Sequence, residues 1–201
     1  MFAQWSSPTW ILRVLLVLAS LVLHEFAHAL AADLQGDKTA RHEGRLTLNP
    51  LVHLEWTGVI AMLIAPIGWA RPVPIQPAHF RHRRLGVIVT AAAGPCSNLV
   101  IAAASYGVLR AMQPYTYGIL GTVLGMLFEI NIALFVLNMI PIPPLDGSRI
   151  LYELLPYRQA AVYSRIEPYG PWILLFIFLV PPLNAAFSDL VYLLMSWFYG
   201  T

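Results

Sequence analysis

Apolar residues are gathered into four long stretches along this chain, at residues 10–32, 86–112, 117–140 and 171–199. A helix needs about 20 apolar residues to cross the hydrocarbon core of a bilayer, so each of the first three stretches predicts one membrane-spanning helix. The fourth stretch contains Pro181-Pro182, and proline interrupts a helix. It therefore predicts either one kinked span or two shorter ones.

A fifth apolar run, residues 56–69, is only 14 residues long, which is more typical of a re-entrant or interfacial segment than of a span. The pattern as a whole predicts an all-α multi-pass membrane protein with about 4–6 transmembrane or re-entrant helical segments. No linker divides the chain, so we expect a single domain over residues 1–201. Its core would cover residues 10–152, followed by the C-terminal hydrophobic segment 171–199.

Residues 44–55 have a different pattern. Arg45-Leu46-Thr47-Leu48 alternates polar and apolar side chains, which predicts a short membrane-associated strand, and Asn49-Pro50 would end it in a turn. Such a strand could serve as a docking edge on which Leu46, Thr47 and Leu48 bind an extended substrate. An amphipathic loop that covers the helix ends is an equal alternative.

The composition supports a membrane environment. Of the 201 residues, 58% are hydrophobic and 11% are charged, against about 25% charged residues in soluble domains. Ten of the 12 Lys and Arg residues lie in three polar segments, 33–45, 70–85 and 146–168. If residues 56–69 dip into the membrane and return, all three segments share one side. The positive-inside rule then predicts a cell-membrane protein with that side cytoplasmic and the N-terminus outside.

Charge and cysteine content exclude several classes of function. The net charge of +2 is too small to suggest a nucleic-acid partner. The single cysteine, Cys96, excludes an intrachain disulfide and a cysteine-rich metal site. No basic segment precedes the first apolar run, so we expect that run to remain as a helix rather than to be removed as a signal peptide.

The first span carries the sequence His24-Glu25-Phe26-Ala27-His28. Residues four apart lie on one helical face, so the two histidines can hold one metal ion, and Glu25 can reach a water on that metal. A charged residue at the bilayer centre costs about 2.5–3.5 kcal/mol on insertion scales. Three ionisable residues in five positions therefore need a compensating partner, and a metal ion is the simplest one.

Asp146 is the best candidate for a third ligand. A catalytic zinc usually takes three protein ligands and leaves a fourth position for water. Asp146 follows the third long span, where prolines within residues 141–144 break the helix and Gly147 permits a close backbone approach. Broken backbone at membrane depth requires protein or a water-filled cavity around it. With a rise of about 1.5 Å per residue, the His pair lies roughly 6 and 12 Å below the cytoplasmic surface, so we expect all three ligands in that half of the bilayer.

Two motifs together resemble the site-2 protease family of intramembrane zinc metalloproteases. They are His24-Glu25-x-x-His28 and Asn138-x-x-Pro141-x-Pro143-x-x-Asp146-Gly147. Ala93-Gly94-Pro95-Cys96-Ser97-Asn98 is similar to the family's Gly-Pro-x-x-Asn motif, and residues 48–53 and 68–74 resemble stretches of its compact prokaryotic branch. That branch lacks the PDZ and CBS domains of larger members. The resemblance extends from about residue 20 to residue 152.

The resemblance implies a role for each matching residue. The implied ligands of one Zn²⁺ ion are His24, His28 and Asp146. Glu25 is implied as the general base, and Asn98 as a polar residue that holds substrate backbone or the developing oxyanion. Asn138 would orient the broken loop or a substrate carbonyl. The implied activity is hydrolysis of peptide bonds in transmembrane helices of other proteins, within the lipid bilayer.

Two other functions fit the same residues. One is a non-catalytic membrane protein that binds metal and partner helices, and the other is a metal transporter. A degenerate protease would most easily lose Glu25, which is present, so the sequence favours catalysis. A transporter usually needs polar residues along its whole pathway, and the outer halves of these spans contain almost none. The pattern specifies neither the substrate's identity nor an oligomeric state.

Overall fold

A computed structural model describes residues 9–58, 60, 70–113 and 118–200, and these are almost entirely helical. The helices are α1 (Trp10–Leu34), α2 (Thr39–His42), α3 (Pro50–His53), α4 (Arg83–Ala111), α5 (Ile119–Met139), α6 (Asp146–Leu154), α7 (Tyr157–Tyr163), α8 (Gly170–Leu179) and α9 (Pro181–Tyr199). Short 3₁₀ helices lie at Pro77–His79 and Ser164–Tyr169. Within the described ranges no strand forms, and one isolated antiparallel bridge joins Leu54 to Ala70. The all-α prediction is confirmed.

Three of these helices, α1, α4 and α5, are long and apolar enough to cross a membrane. The fourth apolar stretch forms two helices, α8 and α9, and the helical segment Tyr157–Leu179, which ends with α8, is bent by 88° relative to α9. Proline lacks an N–H and clashes with a preceding helical turn, so Pro181 begins a new helix instead of continuing α8. The chain is thus a multi-pass membrane protein, and its described residues contain three candidate spans, or four if the bent pair is one span. The predicted re-entrant run at 56–69 lies largely outside the described residues.

Helix α4 lies at the centre of the bundle and packs against α1, α5 and α6. A buried cluster of Ala102, Phe128, Ile132 and Val191 joins α4 to α5 and α9. Because α4 contacts both α1 and α6, its side chains can reach the His pair on the first helix and Asp146 on the second. This central position makes α4 the element that organises the candidate site.

Residues 44–55 form a loop and the short helix α3, so the strand predicted at 45–48 is wrong and the loop alternative is observed. Two contacts within this segment hold its backbone in place. Asn49 caps α3, and the His53 ring contacts the Thr47 carbonyl with an Nε2–O distance of 2.8 Å. Leu46 packs against a small buried cluster on α1 and α2. The segment is thus held as a loop by its own contacts and by packing against α1 and α2.

A segment that we call the strap, residues 70–76, runs beside α1 without regular secondary structure. One end is joined to the loop by the bridge at Ala70, and the other end is fixed by the Gln76 N–H, which donates to the Asp37 carboxylate at 2.7 Å. Val73, in the middle, is buried in the same cluster as Leu46. The strap therefore lies against α1, where Val73 packs beside Ala29.

Candidate metal centre and catalytic site

The structure brings together three of the residues that the sequence singled out. His24 and His28 lie one turn apart on α1, and Asp146 is the first residue of α6. The Asp146 Oδ2 atom lies 3.1 Å from His24 Nε2 and 3.3 Å from His28 Nε2, and the two Nε2 atoms are 3.0 Å apart. Both histidines are buried, and the three residues form a group that could hold a metal ion.

The spacing of these atoms fits zinc. Zinc binds imidazole nitrogen at about 2.0–2.1 Å and carboxylate oxygen at about 2.0–2.2 Å in tetrahedral geometry, so its ligand atoms lie about 3.3–3.5 Å from one another. The three observed separations are within a few tenths of an ångström of that range. Two imidazoles and one carboxylate are also a known catalytic zinc set that leaves a position for water.

A chain of buried amides fixes the proton on His24. Asn131 Nδ2 donates to the Leu127 carbonyl at 2.9 Å and to Ser20 Oγ at 3.0 Å, so its Oδ1 must point the other way. That oxygen accepts a hydrogen bond from Asn98 Nδ2 at 2.8 Å, which turns Asn98 Oδ1 towards His24 Nδ1 at 2.7 Å. The His24 Nδ1 atom therefore carries the proton, and Nε2 keeps its lone pair.

His28 is oriented in the same sense by the backbone of α4. Its Nδ1 lies 2.7 Å from the Thr90 carbonyl oxygen, which can only accept, so Nδ1 is the donor. In the neutral rings, two Nε2 lone pairs and one carboxylate oxygen then converge with no proton between them. Without a cation, these electron-rich atoms repel one another. Histidines that bind a metal usually donate their other ring N–H to a protein acceptor, as both Nδ1 atoms do here.

Two glycines allow the ligands to approach this closely. A Cβ atom on Gly94 of α4 would lie 2.6 Å from His24 Nε2 and would also collide with His28 Nε2. A Cβ atom on Gly147 would collide with the carbonyl of Met139 at the end of α5. The sequence shows Gly94 only as part of the Gly-Pro-x-x-Asn motif. The need for a glycine at this position depends on how α4 packs against α1.

Glu25 is held from outside the helices. Its side chain is half-buried, and Oε2 accepts a hydrogen bond of 3.1 Å from the Val73 N–H in the strap. This contact fixes one carboxylate oxygen, and no hydrogen bond from the described residues occupies Oε1. A contact between a side chain and a backbone N–H 48 positions away leaves no pattern in the sequence.

The remaining predicted site residues are placed as follows. Asn98 is fully buried, with one side of its amide on His24 and the other on Asn131. Asn138 is half-buried and donates to the Leu134 carbonyl of its own helix at 3.0 Å.

The segment 46–48 contributes differently at each position. Leu46 packs in the cluster with Val73, the Thr47 carbonyl pairs with His53, and Leu48 is exposed. No described hydrogen bond joins Asn138 or this segment to the three ligand side chains.

Sequence reasoning missed the outer support of the ligands. The Thr90 carbonyl contacts His28 directly, while Asn131 and Ser20 support His24 through Asn98. Polar residues in apolar helices were the only available signal for them. Glu129, another ionisable residue in a span, forms a bidentate ion pair with Arg13 at 3.1 and 3.3 Å. That pair joins α5 to α1 away from the metal ligands.

Comparison with known proteins identifies the family of the chain. Residues 113–181, which include Asp146, match peptidase family M50. The chain is 40% identical over 175 residues to a protein of Bacillus subtilis (strain 168) named "Putative zinc metalloprotease YwhC", covering 84% of this chain and 80% of that one. Rip2 of Mycolicibacterium smegmatis and Rip2 of Mycobacterium tuberculosis (strain H37Rv), with the same descriptive name, are each 32% identical.

The two Rip2 alignments cover 90% and 89% of this chain and 70% and 71% of the relatives. No solved structure matches the chain significantly. The identity to YwhC and the extent of that alignment place the chain in peptidase family M50, the site-2 protease family of metalloproteases. The family predicted from the two motifs is confirmed.

Proposed function

We propose that the chain is a zinc-dependent intramembrane endopeptidase that hydrolyses peptide bonds within or near transmembrane segments of other membrane proteins. The convergence of His24, His28 and Asp146 at zinc-ligand spacing, between apolar helices, carries this proposal. The relatives' name, which includes zinc metalloprotease, supports both the metal and the reaction class. No substrate is implied by those names, so the substrate class rests on the position of the site among the candidate spans.

One zinc ion would be held by His24 Nε2, His28 Nε2 and the Asp146 carboxylate. Bound there, it supplies Lewis-acid chemistry, making water a nucleophile near neutral pH and polarising the carbonyl that is attacked. The protein's own contribution is to keep both rings in one tautomer and one orientation. Asn98 and the Thr90 carbonyl do this from the side opposite the metal.

Glu25 is the proposed general base. It would accept a proton from the attacking water on Oε1 and return it to the leaving amine nitrogen. The hydrogen bond from Val73 N–H to Oε2 restricts rotation of the carboxylate while that transfer takes place. A base that is fixed at one oxygen and open at the other suits both halves of this exchange.

Asn98 has one amide N–H beyond its contact with Asn131, and the oxyanion role implied by the resemblance would use that N–H. Its complete burial favours orientation of His24 as the main contribution. Asn138 lies at the end of α5, next to the broken loop, and contact with a substrate carbonyl stays a prediction for it. Residues 46–48 form a loop and not a strand, and a substrate contact by Leu46, Thr47 or Leu48 also stays a prediction.

A peptide bond in a membrane helix is shielded because the helix satisfies its own carbonyls. A substrate must therefore unwind locally, which favours substrates with helix-weakening residues near the cleaved bond. The concentration of basic residues in three segments supports a site in the cytoplasmic half of the cell membrane, with the N-terminus outside. The core over residues 10–152 would then contain all the catalytic groups.

The test uses purified protein in detergent with zinc and a transmembrane substrate that contains a helix-weakening pair. We expect cleavage by the wild type, no cleavage by Glu25→Gln with zinc retained, and loss of zinc in Asp146→Ala. Glu129→Gln is the matched control, because it removes a carboxylate from a span but not from the site. Full zinc occupancy without cleavage of several such substrates would instead favour the metal-binding, partner-helix alternative. Zinc flux into vesicles would favour a transporter.

A further inference from the structure

Arg45 is a buried arginine whose guanidinium donates hydrogen bonds to backbone carbonyls. Only 5% of the residue is exposed. It donates to the carbonyl of Val52 in the loop, and in the strap to the carbonyls of Arg71 at 3.0 Å and Pro72 at 2.9 Å. Among the described residues no carboxylate forms an ion pair with it. Burying a charge is costly, so these contacts identify Arg45 as a clamp that joins the loop to the strap.

The clamp and the proposed base bind the same peptide unit. The carbonyl of Pro72 and the N–H of Val73 belong to one planar amide, and they point in opposite directions. Arg45 holds the oxygen of this amide, and Glu25 Oε2 accepts from its nitrogen at 3.1 Å. Rotation of the plane would weaken both contacts together. A cationic donor on the carbonyl also polarises the amide and strengthens its N–H as a donor.

The surrounding residues limit the freedom of that plane. The rings of Pro72 and Pro74 fix φ on either side, and a residue that precedes proline, as Val73 does, is itself restricted to extended conformations. Burial, followed by the charge of Arg71, lowers the pKa of Arg45, while the Glu25 carboxylate opposes that shift. Arg45 and Glu25 thus also interact electrostatically across the amide.

We propose that Arg45 is a positioning residue for Glu25, acting through the Pro72–Val73 amide. The proposal rests on the proposed function, in which Glu25 is the general base. The described hydrogen bonds of Arg45 go to backbone carbonyls, and none of them reaches a candidate metal ligand. Its removal should therefore slow the proton-transfer step and leave zinc binding and substrate binding in place.

The first experiment compares kcat, KM and zinc content of Arg45→Met and Arg45→Lys. We expect Arg45→Met to lower kcat by about tenfold to a hundredfold, because a small misplacement of a catalytic group has that effect. KM and zinc stoichiometry should stay within about twofold of the wild type, since the displaced group binds neither. Arg45→Lys should recover only part of kcat, because an ammonium lacks the planar fork that spans carbonyls of two segments.

A second pair of variants tests the amide itself. Val73→Pro removes the N–H that donates to Glu25. Val73→Ala keeps this N–H and removes two buried methyl groups, so it shows what a packing change alone does at this position. We expect kcat to fall in Val73→Pro and to stay within about threefold in Val73→Ala. Adding Arg45→Met to Val73→Pro should cost no further kcat, because both changes break one connection. Additive losses would overturn the proposal.

Hydrogen exchange gives a readout that does not depend on activity. In metal-free protein, Arg45→Met should accelerate exchange of the Val73 amide, with exchange in α4 unchanged. A wild-type kcat for Arg45→Met, a loss confined to zinc content, or a rise in KM alone would each overturn the role of Arg45. Failure of the proposed function has a different signature, namely no cleavage by the wild type or undiminished cleavage by Glu25→Gln.

Discussion

The two halves of the site are neighbours in sequence and are held in different ways. His24 is fixed by side chains of α4 and α5 that are fully buried inside the bundle. Glu25, the next residue, is fixed by a backbone N–H of the strap, which in turn depends on a loop and on Arg45. The proposed metal site is thus supported by helix packing, and the proposed base is positioned by loop contacts. The comparison indicates that the two can be damaged separately.

The difference follows from the surroundings. Inside a bundle of apolar helices an unpaired polar group costs free energy, so the amides behind His24 are paired with one another and with a helix carbonyl. The strap has no regular secondary structure of its own, and it is held by several separate contacts from buried side chains. We therefore expect the ligand half to respond to packing changes and the base half to respond to local contacts.

The largest effect is expected for Gly94→Ala. A methyl group there would collide with both ligand histidines, so they must move apart and zinc binding should fall more than about a hundredfold, with activity lost in parallel. The measurement is zinc affinity by competition with a chelator. Gly107→Ala in the same helix is the control, because a Cβ atom there meets nothing within 4 Å. Zinc affinity at the wild-type level in Gly94→Ala would show that the ligand half is less tightly packed than the structure indicates.

A smaller effect is expected for Asn131→Leu. The change keeps the volume and removes the acceptor that orients Asn98, so His24 loses its fixed tautomer without losing its packing. Zinc affinity should fall about tenfold, the lower end of the range for outer-shell residues. Asn138→Leu is the control, since that amide donates only to its own helix among the described hydrogen bonds. Equal affinities for the two variants would contradict the role of the amide chain.

The sequence was sufficient to predict the fold class, the family and the three candidate ligands. Long apolar runs predict spans directly, and His-Glu-x-x-His is local, so His24 and His28 need only helical geometry to converge. Asp146 could be chosen because prolines mark the broken helix before it. Each of these features is encoded within a few consecutive residues, which is why it could be read without a structure.

The supports of the site could not be predicted in the same way. Asn131 and Asn98 are 33 positions apart and meet only because α4 packs on α5, and the Val73 N–H carries no signal that a side-chain pattern can show. The alternation of polar and apolar residues at 45–48 predicted a strand, because such a pattern reflects only side-chain polarity and not the contacts that the side chains make. Arg45 is polar in that pattern and yet buried, because it binds carbonyls inside the protein. At each of these positions, hydrogen bonds between residues far apart in sequence determine the structure.

The smallest effect on zinc affinity is expected at Asp37, which fixes the far end of the strap. Its carboxylate is buried and accepts hydrogen bonds from the Gln76 N–H at 2.7 Å, from the Thr39 N–H at 3.0 Å and from the Thr39 hydroxyl. His79 Nδ1 lies 3.1 Å away. Burial alone would raise the pKa of Asp37. The hydrogen bonds together lower this pKa by more than burial raises it, so the pKa of Asp37 lies below its ordinary value.

Because the folded state has the lower pKa, the stabilisation by the Asp37 carboxylate is fully present above the unfolded pKa of about 3.9 and is lost as pH falls through the folded pKa. Asp37→Asn should therefore lower the free energy of unfolding in detergent by about 1–3 kcal/mol at pH 7. The difference from the wild type should shrink below about pH 4. The exposed Asp189 in α9 supplies the control, Asp189→Asn. Zinc affinity should not change in Asp37→Asn, since the strap supports only the base half. A loss of zinc there would show that the two halves are coupled.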